Sequence, residues 1–140
     1  MMRVQVRGKV PGGGGEGVPD VLVDLETEVT TPRELIRLAV TEQVRLLRDD
    51  AARCRRVLDR HYLSAADIRE LAPTGVVRMP AAVPVPPDVS AEVARAQRAF
   101  ERNVFVVFAG GRQLRQLDEE TLLPPGDPVV FLRLTPLAGG

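Results

Sequence analysis

The sequence is poor in the side chains that most often form metal sites and nucleophilic centres. Among 140 residues there is one cysteine, Cys54, and one histidine, His61. A single cysteine excludes a disulfide within the chain, and one cysteine with one histidine cannot form a metal cluster. We therefore predict no bound metal or cofactor, and the residues near the end of the chain supply no Ser/His/Asp or Cys/His set.

The sequence also lacks a net charge and a long apolar run. Lysine and arginine total 19, as do aspartate and glutamate, so the formal net charge at pH 7 is zero. This balance gives no argument for nucleic acid or a membrane as a partner. No apolar stretch approaches the roughly 20 residues that span a bilayer, and the first residues lack a signal-peptide pattern. We predict a cytoplasmic protein.

Lysine is nearly absent from the sequence. Lys9 is the only lysine among the 19 basic residues, and the others are arginine. A general bias toward arginine accounts for this most simply.

Two stretches near the start alternate apolar and polar residues, as strands with one buried face do. Residues 2–7 form the first stretch, and residues 21–26 form the second, in which Val21, Val23 and Leu25 face inward. A glycine run at residues 12–15 lies between them. This pattern predicts a hairpin with a long, flexible connection.

A strong helix start follows the predicted hairpin. Thr31 is suited to cap the helix, Pro32 to occupy its first position, and Glu34 to complete a capping box. Apolar residues then recur at spacings of three and four on one face. We predict one long helix from Pro32 to about Arg60, whose first half covers a sheet.

Two groups of polar residues are weighed as chemical sites and set aside. Cys54 lies on the apolar face of the long helix and is predicted to be a small buried side chain. His61 lies near the helix end, where the helix dipole favours a cation. The carboxylates Asp118, Glu119 and Glu120 follow one another in a predicted turn, and we interpret them as a solvated cap rather than an acid–base pair.

A helical and proline-rich insertion is predicted over residues 50–103. It contains a short helix at 64–71 and an extended, proline-rich stretch at 79–87. A third helix begins at Asp88 or Ser90. Its apolar face is predicted to pack against the overhanging second half of the long helix.

The last part of the chain alternates strands and turns. Residues 104–108 predict a strand, 109–111 a turn, and 112–114 a returning strand. A helical turn is predicted within 117–123, and a tight turn then leads into the final strand. In that strand we predict that the inward-facing residues are Val130, Leu132 and Leu134.

With residues 50–103 set aside, the order is hairpin, helix, strand, short strand, turn and strand. This order predicts an α+β ubiquitin-like β-grasp, in which a mixed sheet of four to five strands holds one long helix across its face. We predict that residues 1–140 form a single β-grasp domain that carries the insertion.

Two segments resemble ubiquitin. The sequence VFAGGRQL at 107–114 is similar to its strand-turn-strand, and FLRL followed by Gly139-Gly140 is similar to its last strand and tail. The ending LAGG after a proline-glycine-aspartate turn also resembles the small sulfur carriers of molybdenum-cofactor and thiamine synthesis. The similarity covers residues 1–49 and 104–140.

Both families share chemistry at a terminal diglycine, and the resemblance implies the same for Gly139 and Gly140. An activating enzyme uses ATP to adenylate the carboxylate, with Leu137 and Ala138 as its contacts in the tail. The protein then passes as a thioester to a conjugating enzyme and is attached to a target protein, from which a deconjugating peptidase could release it. The sequence Pro136-Leu137-Ala138 replaces the arginine-rich approach of ubiquitin and favours a bacterial type of modifier.

Two alternatives stay open at this point. A sulfur carrier would convert the carboxylate of Gly140 into a thiocarboxylate for cofactor synthesis. A non-covalent β-grasp adaptor would use neither glycine. The insertion favours the modifier, because the sulfur carriers usually keep a bare β-grasp.

A second functional surface is predicted from strand alternation. If Val130, Leu132 and Leu134 face the helix, the residues between them face outward. On that basis we predict an open sheet face that binds the activating and conjugating enzymes, and the alternative is that the insertion covers it. The residues predicted for this face are Phe105, Val107, Phe131 and Arg133.

Overall fold

The computed structural model describes residues 2–10, 17–63 and 87–134. This part of the chain has a mixed α+β fold, in which three helices pack on one face of a five-stranded mixed sheet. A two-stranded ribbon, β3 with β6, lies apart from that sheet. The elements are β1 (Met2–Lys9), β2 (Val21–Leu25), β3 (Val29–Thr30), α1 (Pro32–Leu47), α2 (Ala51–Tyr62), α3 (Val89–Glu101), β4 (Phe105–Ala109), β5 (Arg112–Leu114), β6 (Thr121–Leu122) and β7 (Val129–Arg133).

Some sequence predictions concern residues outside these ranges. They are the glycine run at 12–15, the short helix at 64–71, the proline-rich stretch up to residue 86, and the tail residues Leu137, Ala138, Gly139 and Gly140. They lie outside the described residues and stay predictions.

The large sheet has the strand order β2-β1-β7-β4-β5. The predicted hairpin is confirmed, because β1 and β2 pair antiparallel with Val4 opposite Val23. Strand β7 then lies in the centre, parallel to β1 and antiparallel to β4. The first and last strands of the chain are therefore neighbours, and both are held by hydrogen bonds on each side.

A two-residue glycine turn joins β4 to β5. Gly110 and Gly111 have φ angles of 60° and 81°, in the left-handed region that a tight hairpin turn of this length requires. A Cβ on Gly110 would also lie 2.9 Å from the carbonyl oxygen of Leu122. The turn predicted at 109–111 is confirmed. Gly110 is required there both by its positive φ angle and by the lack of space for a Cβ.

The prediction of one long helix is wrong, because the helix breaks at residues 48–50. Helix α1 begins as predicted, with the Thr31 side chain accepting a hydrogen bond from the Glu34 amide at 3.3 Å. It ends at Leu47, and Asp50 caps a second helix by accepting from the Arg53 amide at 3.0 Å. An aspartate side chain that accepts a hydrogen bond from a nearby backbone amide favours a helix start over the interior of a continuing helix. Here Asp50 does so and begins a new helix.

The described parts of the predicted insertion belong to the body of the fold. Asp88, one of the two predicted starting residues, caps α3 by accepting from the Ser90 amide, and α3 packs mainly on α1 rather than on α2. That partner differs from the predicted one, since α2 turns away from the line of α1. Cys54, Tyr62 and Phe100 lie in the same hydrophobic cluster as the sheet residues.

Ion pairs and one buried hydrogen bond join the helices. Arg55 of α2 donates to the Glu92 carboxylate of α3 at 2.8 Å and to Asp59 within its own helix. Arg95 of α3 donates back to Asp59 at 2.9 Å. Together these contacts fix α3 against α2 where their direct packing is limited.

The predicted helical turn within 117–123 is wrong, because Thr121–Leu122 forms β6 and pairs with β3. The preceding carboxylates make turn contacts, as their sequence position suggested. Asp118 accepts two hydrogen bonds from Arg33, at 2.9 and 3.1 Å, and Glu119 accepts from the Arg115 amide at 2.7 Å. These pairs hold the pKa of both carboxyls below its ordinary value, so they favour the charged form over a proton donor.

None of the helices within 2–10, 17–63 and 87–134 has both the length and the apolar character needed to cross a bilayer.

Candidate functional site

The last strand occupies the centre of the sheet and leads toward the tail. Its residues pair with β1 on one side, where Val6 lies opposite Val129, and with β4 on the other, where Phe105 lies opposite Arg133. The Leu134 amide donates to the Val104 carbonyl at 3.0 Å, which extends the ladder by one residue. The chain that follows Leu134 is therefore anchored at a fixed point of the sheet.

The predicted orientation of this strand and of β4 is wrong. Phe105, Val107 and Phe131 have no exposed surface, and Arg133 exposes 3%. These four residues face the helices, so they do not form the open surface that strand alternation predicted. Their neighbours in each strand take the outward positions.

The aromatic rings explain why the strands adopt this orientation. The Phe105 ring lies 5.3 Å from that of Phe131, 5.2 Å from Tyr62 and 6.0 Å from Phe100, measured between centroids. Such tilted and edge-on pairs are favourable beyond the area that they bury. The Phe105 ring is thereby packed against Tyr62 of α2 and Phe100 of α3 on the inner face, whereas Phe108 of the same strand lies on the other face.

An apolar patch, which we call the outer patch, lies on the opposite side of the sheet. Strand pairing places Val106 opposite Leu132 and Phe108 opposite Val130. Phe108 exposes 38% of its surface, Leu134 exposes 46%, and Val106 lies between them with 6% exposed. No helix of the described residues packs on this side. The outer patch consists of Val106, Phe108, Val130, Leu132 and Leu134.

Arginines of β1 border the outer patch. Arg7 lies opposite Val130 in the sheet, and Arg3 lies farther along the same face. Arg7 is 3.8 Å from Asp20 and Arg3 is 3.1 Å from Asp24, in pairs that remain about half exposed. Exposed pairs of this kind contribute little to stability, so the arginines are available to a partner with acidic groups.

Arg133 faces inward because it reaches the end of α2. Its Nη1 donates to the His61 carbonyl at 3.1 Å, and this carbonyl is one of the last in the helix, where backbone acceptors lack intrahelical partners. Burial, and then the nearby Arg60 guanidinium, lower the pKa of Arg133 from its ordinary value. This hydrogen bond connects the end of β7 to α2, a helix that lies within the predicted insertion.

His61 is buried against the sheet, which contradicts the prediction of a cation at the helix end. Its ring packs on Tyr62 and Phe105 at 4.8 and 5.8 Å, and the absence of a side chain at Gly8 leaves room for it. Among residues 2–10, 17–63 and 87–134, neither ring nitrogen has a partner at full hydrogen-bond geometry, although the Phe131 backbone lies near enough to act on the ring. Burial foremost, then the Arg133 charge, lower the pKa of His61 from 6.5 to about 3, and the Phe131 backbone opposes this only in part.

The buried neutral histidine predicts a loss of stability in mild acid. Below pH 6.5 the unfolded chain takes up a proton on His61, whereas the folded chain does not until the pH approaches about 3. The free energy of unfolding is thus highest above pH 6.5 and falls as the pH drops, with a slope approaching about 1.4 kcal/mol per pH unit for one proton. Urea unfolding at a series of pH values between 7.5 and 5 measures this slope.

The control for that slope is His61→Gln, which cannot titrate. Because His61 is the sole histidine in the chain, the variant should show a nearly flat dependence between pH 7.5 and 5, whatever its absolute stability. Parallel slopes for the two proteins would mean that the ring is not held neutral in the folded state.

The remaining candidate groups do not form a reaction centre. Cys54 is buried, and burial raises the pKa of its thiol, which disfavours the nucleophilic thiolate. No group of three or more His, Cys, Asp or Glu side chains that could hold a metal ion occurs among the described residues. The arrangement therefore offers two features to a partner, the outer patch and the anchored last strand.

A groove along the edge of the sheet is a further concave surface. It has a volume of about 580 Å³ between β2 and α1, and its charged lining residues are already paired, Arg3 with Asp24 and Arg45 with Glu42. Ligand sites usually present a few unpaired polar groups that converge on the ligand. This groove lacks that arrangement within the part of the chain that the structure describes.

The residues of the outer patch were not predicted from the sequence. Residues 104–109 and 129–132 are apolar at nearly every position, so period-two alternation does not show which set faces out. Aromatic size does not decide it either, because β4 has one phenylalanine on each face, Phe105 inward and Phe108 outward. Comparisons of the chain with protein-family models, with curated proteins and with solved structures return no significant match.

Proposed function

We propose that this protein is a ubiquitin-like modifier of bacterial type, attached to target proteins through the carboxyl group of Gly140. The observation that carries the proposal is the position of β7. This strand is central and paired on both sides, it contributes Val130 and Leu132 to the outer patch, and it ends at Arg133 just before the segment that contains the diglycine. One strand thus joins a docking surface to a reacting group.

The proposed fold is a β-grasp. Its support is the strand order β2-β1-β7-β4-β5, with the first and last strands parallel in the centre and α1 packed across the inner face. This order is compatible with the hairpin, helix and strand-turn-strand sequence of ubiquitin. In this interpretation α2 and α3 are additions that extend the helical layer without covering the outer patch.

The proposed chemistry uses the protein as a substrate. A carboxylate is a poor acyl donor, so an activating enzyme first joins the Gly140 carboxylate to the AMP part of ATP and releases pyrophosphate. A cysteine thiolate of that enzyme attacks the adenylate and displaces AMP, and the resulting thioester passes to a conjugating enzyme. Gly139 and Gly140 suit this role because, without Cβ atoms, they fit a narrow active site.

The outer patch is the proposed contact for these enzymes. Its exposed residues are Phe108 and Leu134, next to the partly buried Val130 and Leu132, and exposed apolar groups that lie together often mark a site of interaction with another protein. Arg7 at its border favours a partner surface with acidic residues beside an apolar centre, since complementary charge speeds encounter and fixes orientation. The patch lies on the sheet face opposite α1, α2 and α3, so docking there does not require these three helices to move.

Trapping with hydroxylamine tests the activation step. The protein ending at Gly140 is incubated with an extract of its source cells, ATP and hydroxylamine, and its intact mass is then measured. Hydroxylamine attacks an adenylate or thioester, so we expect conversion of Gly140 to the hydroxamate only when ATP is present. The variant that lacks Gly139 and Gly140 is the control and should stay unmodified.

The same spectrum separates the alternatives. A replacement of one oxygen by sulfur at the carboxyl group, formed without hydroxylamine, would favour a sulfur carrier. An unmodified protein in an extract that activates a control modifier would argue for a non-covalent adaptor and against the proposal.

A further inference from the structure

The one lysine of the chain lies beside the outer patch. Lys9 is the last residue of β1, is exposed, and pairs with Leu132 across the sheet. Along β1, Arg3, Gln5, Arg7 and Lys9 alternate with buried valines, so the Lys9 side chain leaves the sheet on the same side as Leu132. The only side-chain amine in the sequence is therefore placed at the edge of the patch.

Lys9 differs in chemistry from the other cations of this face. An arginine guanidinium stays protonated in proteins and is not an acyl acceptor, whereas a lysine amine can lose a proton and act as a nucleophile. The carboxylates Asp24 and Asp20 pair with Arg3 and Arg7. The Lys9 amine has no ion-pair partner among the described residues, so no charge holds it in place.

From this placement we infer that Lys9 is the site at which a second copy of the protein is attached, and that attachment there closes the outer patch. The inference rests on the proposed function. In the linking step the Lys9 nitrogen attacks the thioester carbonyl of Gly140 in the second copy. A C–N bond forms, the C–S bond breaks, and the electron pair leaves with the cysteine thiolate of the conjugating enzyme, while the amine nitrogen gives up a proton to solvent.

The position of Lys9 determines what the linkage does. The new isopeptide replaces a cation by a neutral amide and begins a polypeptide branch next to Leu132. A partner that covers Leu132 and Val106 would have to displace that branch. A copy modified at Lys9 should therefore be a poor substrate for another round of activation, and modification would end the use of that copy as a modifier.

Mass spectrometry of conjugates locates the attachment site. Trypsin cleaves after Arg133, so an attached copy leaves the remnant Leu-Thr-Pro-Leu-Ala-Gly-Gly on the acceptor amine. We expect this remnant on Lys9, in a peptide that begins at Gly8 and is not cleaved after the modified lysine. Conjugates are recovered from source cells that express the tagged protein or the variant Lys9→Arg, which keeps the positive charge.

The outcomes separate this inference from the proposed function. In cells with Lys9→Arg, the self-conjugate should disappear while conjugates to other proteins persist at the same level. Remnants on other proteins but never on Lys9, or self-conjugates that persist in the variant through another amine, would overturn the inference and leave the proposed function intact. An absence of the remnant from every protein would contradict both.

A second measurement tests closure of the patch. The purified Lys9-linked pair is compared with the unmodified protein for ATP-dependent activation of the copy that carries the branch, whose hydroxamate is identified by its own tag. We expect activation to be about tenfold slower or more, the loss that corresponds to one good interface contact. Equal rates would contradict closure.

The matched control moves the lysine to the helical layer. Arg48 is exposed at the end of α1, on the side of the sheet away from the patch. In the double variant Lys9→Arg with Arg48→Lys, a copy linked at position 48 should be activated at the rate of the unmodified protein. Slow activation in both linked forms would show that any branch inhibits, and would overturn the inference that the patch is the cause.

Discussion

Val107→Arg is expected to abolish folding, although the neighbouring change Phe108→Arg is expected to be tolerated. Val107 has no exposed surface and lies between β5 and β7, so an arginine there would place an unpaired charge in the core. The penalty is several kcal/mol, comparable with the total stability of about 5–15 kcal/mol of a small domain. Circular dichroism and thermal melting measure the loss directly.

Phe108→Arg is the matched control one residue along the same strand. Phe108 is 38% exposed on the outer patch, so a guanidinium there reaches water and the melting temperature should change by only a few degrees. We expect this folded variant to lose about tenfold or more in ATP-dependent activation, because it places a charge in the proposed contact. A folded Val107→Arg protein would contradict the inward orientation of β4, and normal activation of Phe108→Arg would contradict the docking role.

Gly139→Val is expected to reduce activation by about a hundredfold while leaving stability unchanged. A branched side chain cannot enter a channel shaped for glycine, and misplacement of a reacting carboxylate by about 1 Å can cost a factor of that size. Gly139 follows the end of β7 at Arg133 by six positions in sequence, so we expect the substitution to leave the described core unaltered. The rate of hydroxamate formation at Gly140 and the melting temperature are measured on the same preparation.

The control for the tail is Thr135→Val, which introduces the same side chain at a position with no predicted role. It should be activated at the unmodified rate. Equal losses for the two variants would mean that the loss is not specific to the glycine position, and equal retention would argue that Gly139 does not enter an active site.

The first half of the sheet could be predicted from the sequence because its two faces differ in polarity. In β2, Val21, Val23 and Leu25 are buried and Leu22 and Asp24 are exposed, as alternation predicts. The caps Thr31 and Asp88 were also predictable, since each acts on the backbone a few residues away. Local signals of this kind do not depend on what packs against them.

The orientation of the central strands could not be predicted in this way. Both sets of residues in β4 are apolar, so the choice between them depends on the helices that cover the inner face. Arg133 made the choice harder, because a charged residue at a strand end usually faces water. It faces inward here because it caps the α2 carbonyl of His61, a contact that spans 72 positions in sequence.

Two smaller errors have the same origin. The apolar spacing of the predicted long helix is kept from Leu47 to Ala51, so the pattern does not show a break at residues 48–50. The break is marked by the hydrogen bond that the Arg53 amide donates to the Asp50 side chain. Strand β6 is two residues long and exists because Val29 lies opposite Leu122. In both cases a tertiary arrangement decided between local structures of similar free energy.

The most direct measurement is a search for the tryptic remnant on other proteins. The tagged protein ending at Gly140, and the variant without Gly139 and Gly140, are expressed in source cells and recovered under denaturing conditions. A modifier leaves Leu-Thr-Pro-Leu-Ala-Gly-Gly on acceptor side chains of other proteins, and we expect these remnants with the full tail and none without it. A thiocarboxylate at Gly140 with no remnant on any protein would contradict the proposed function.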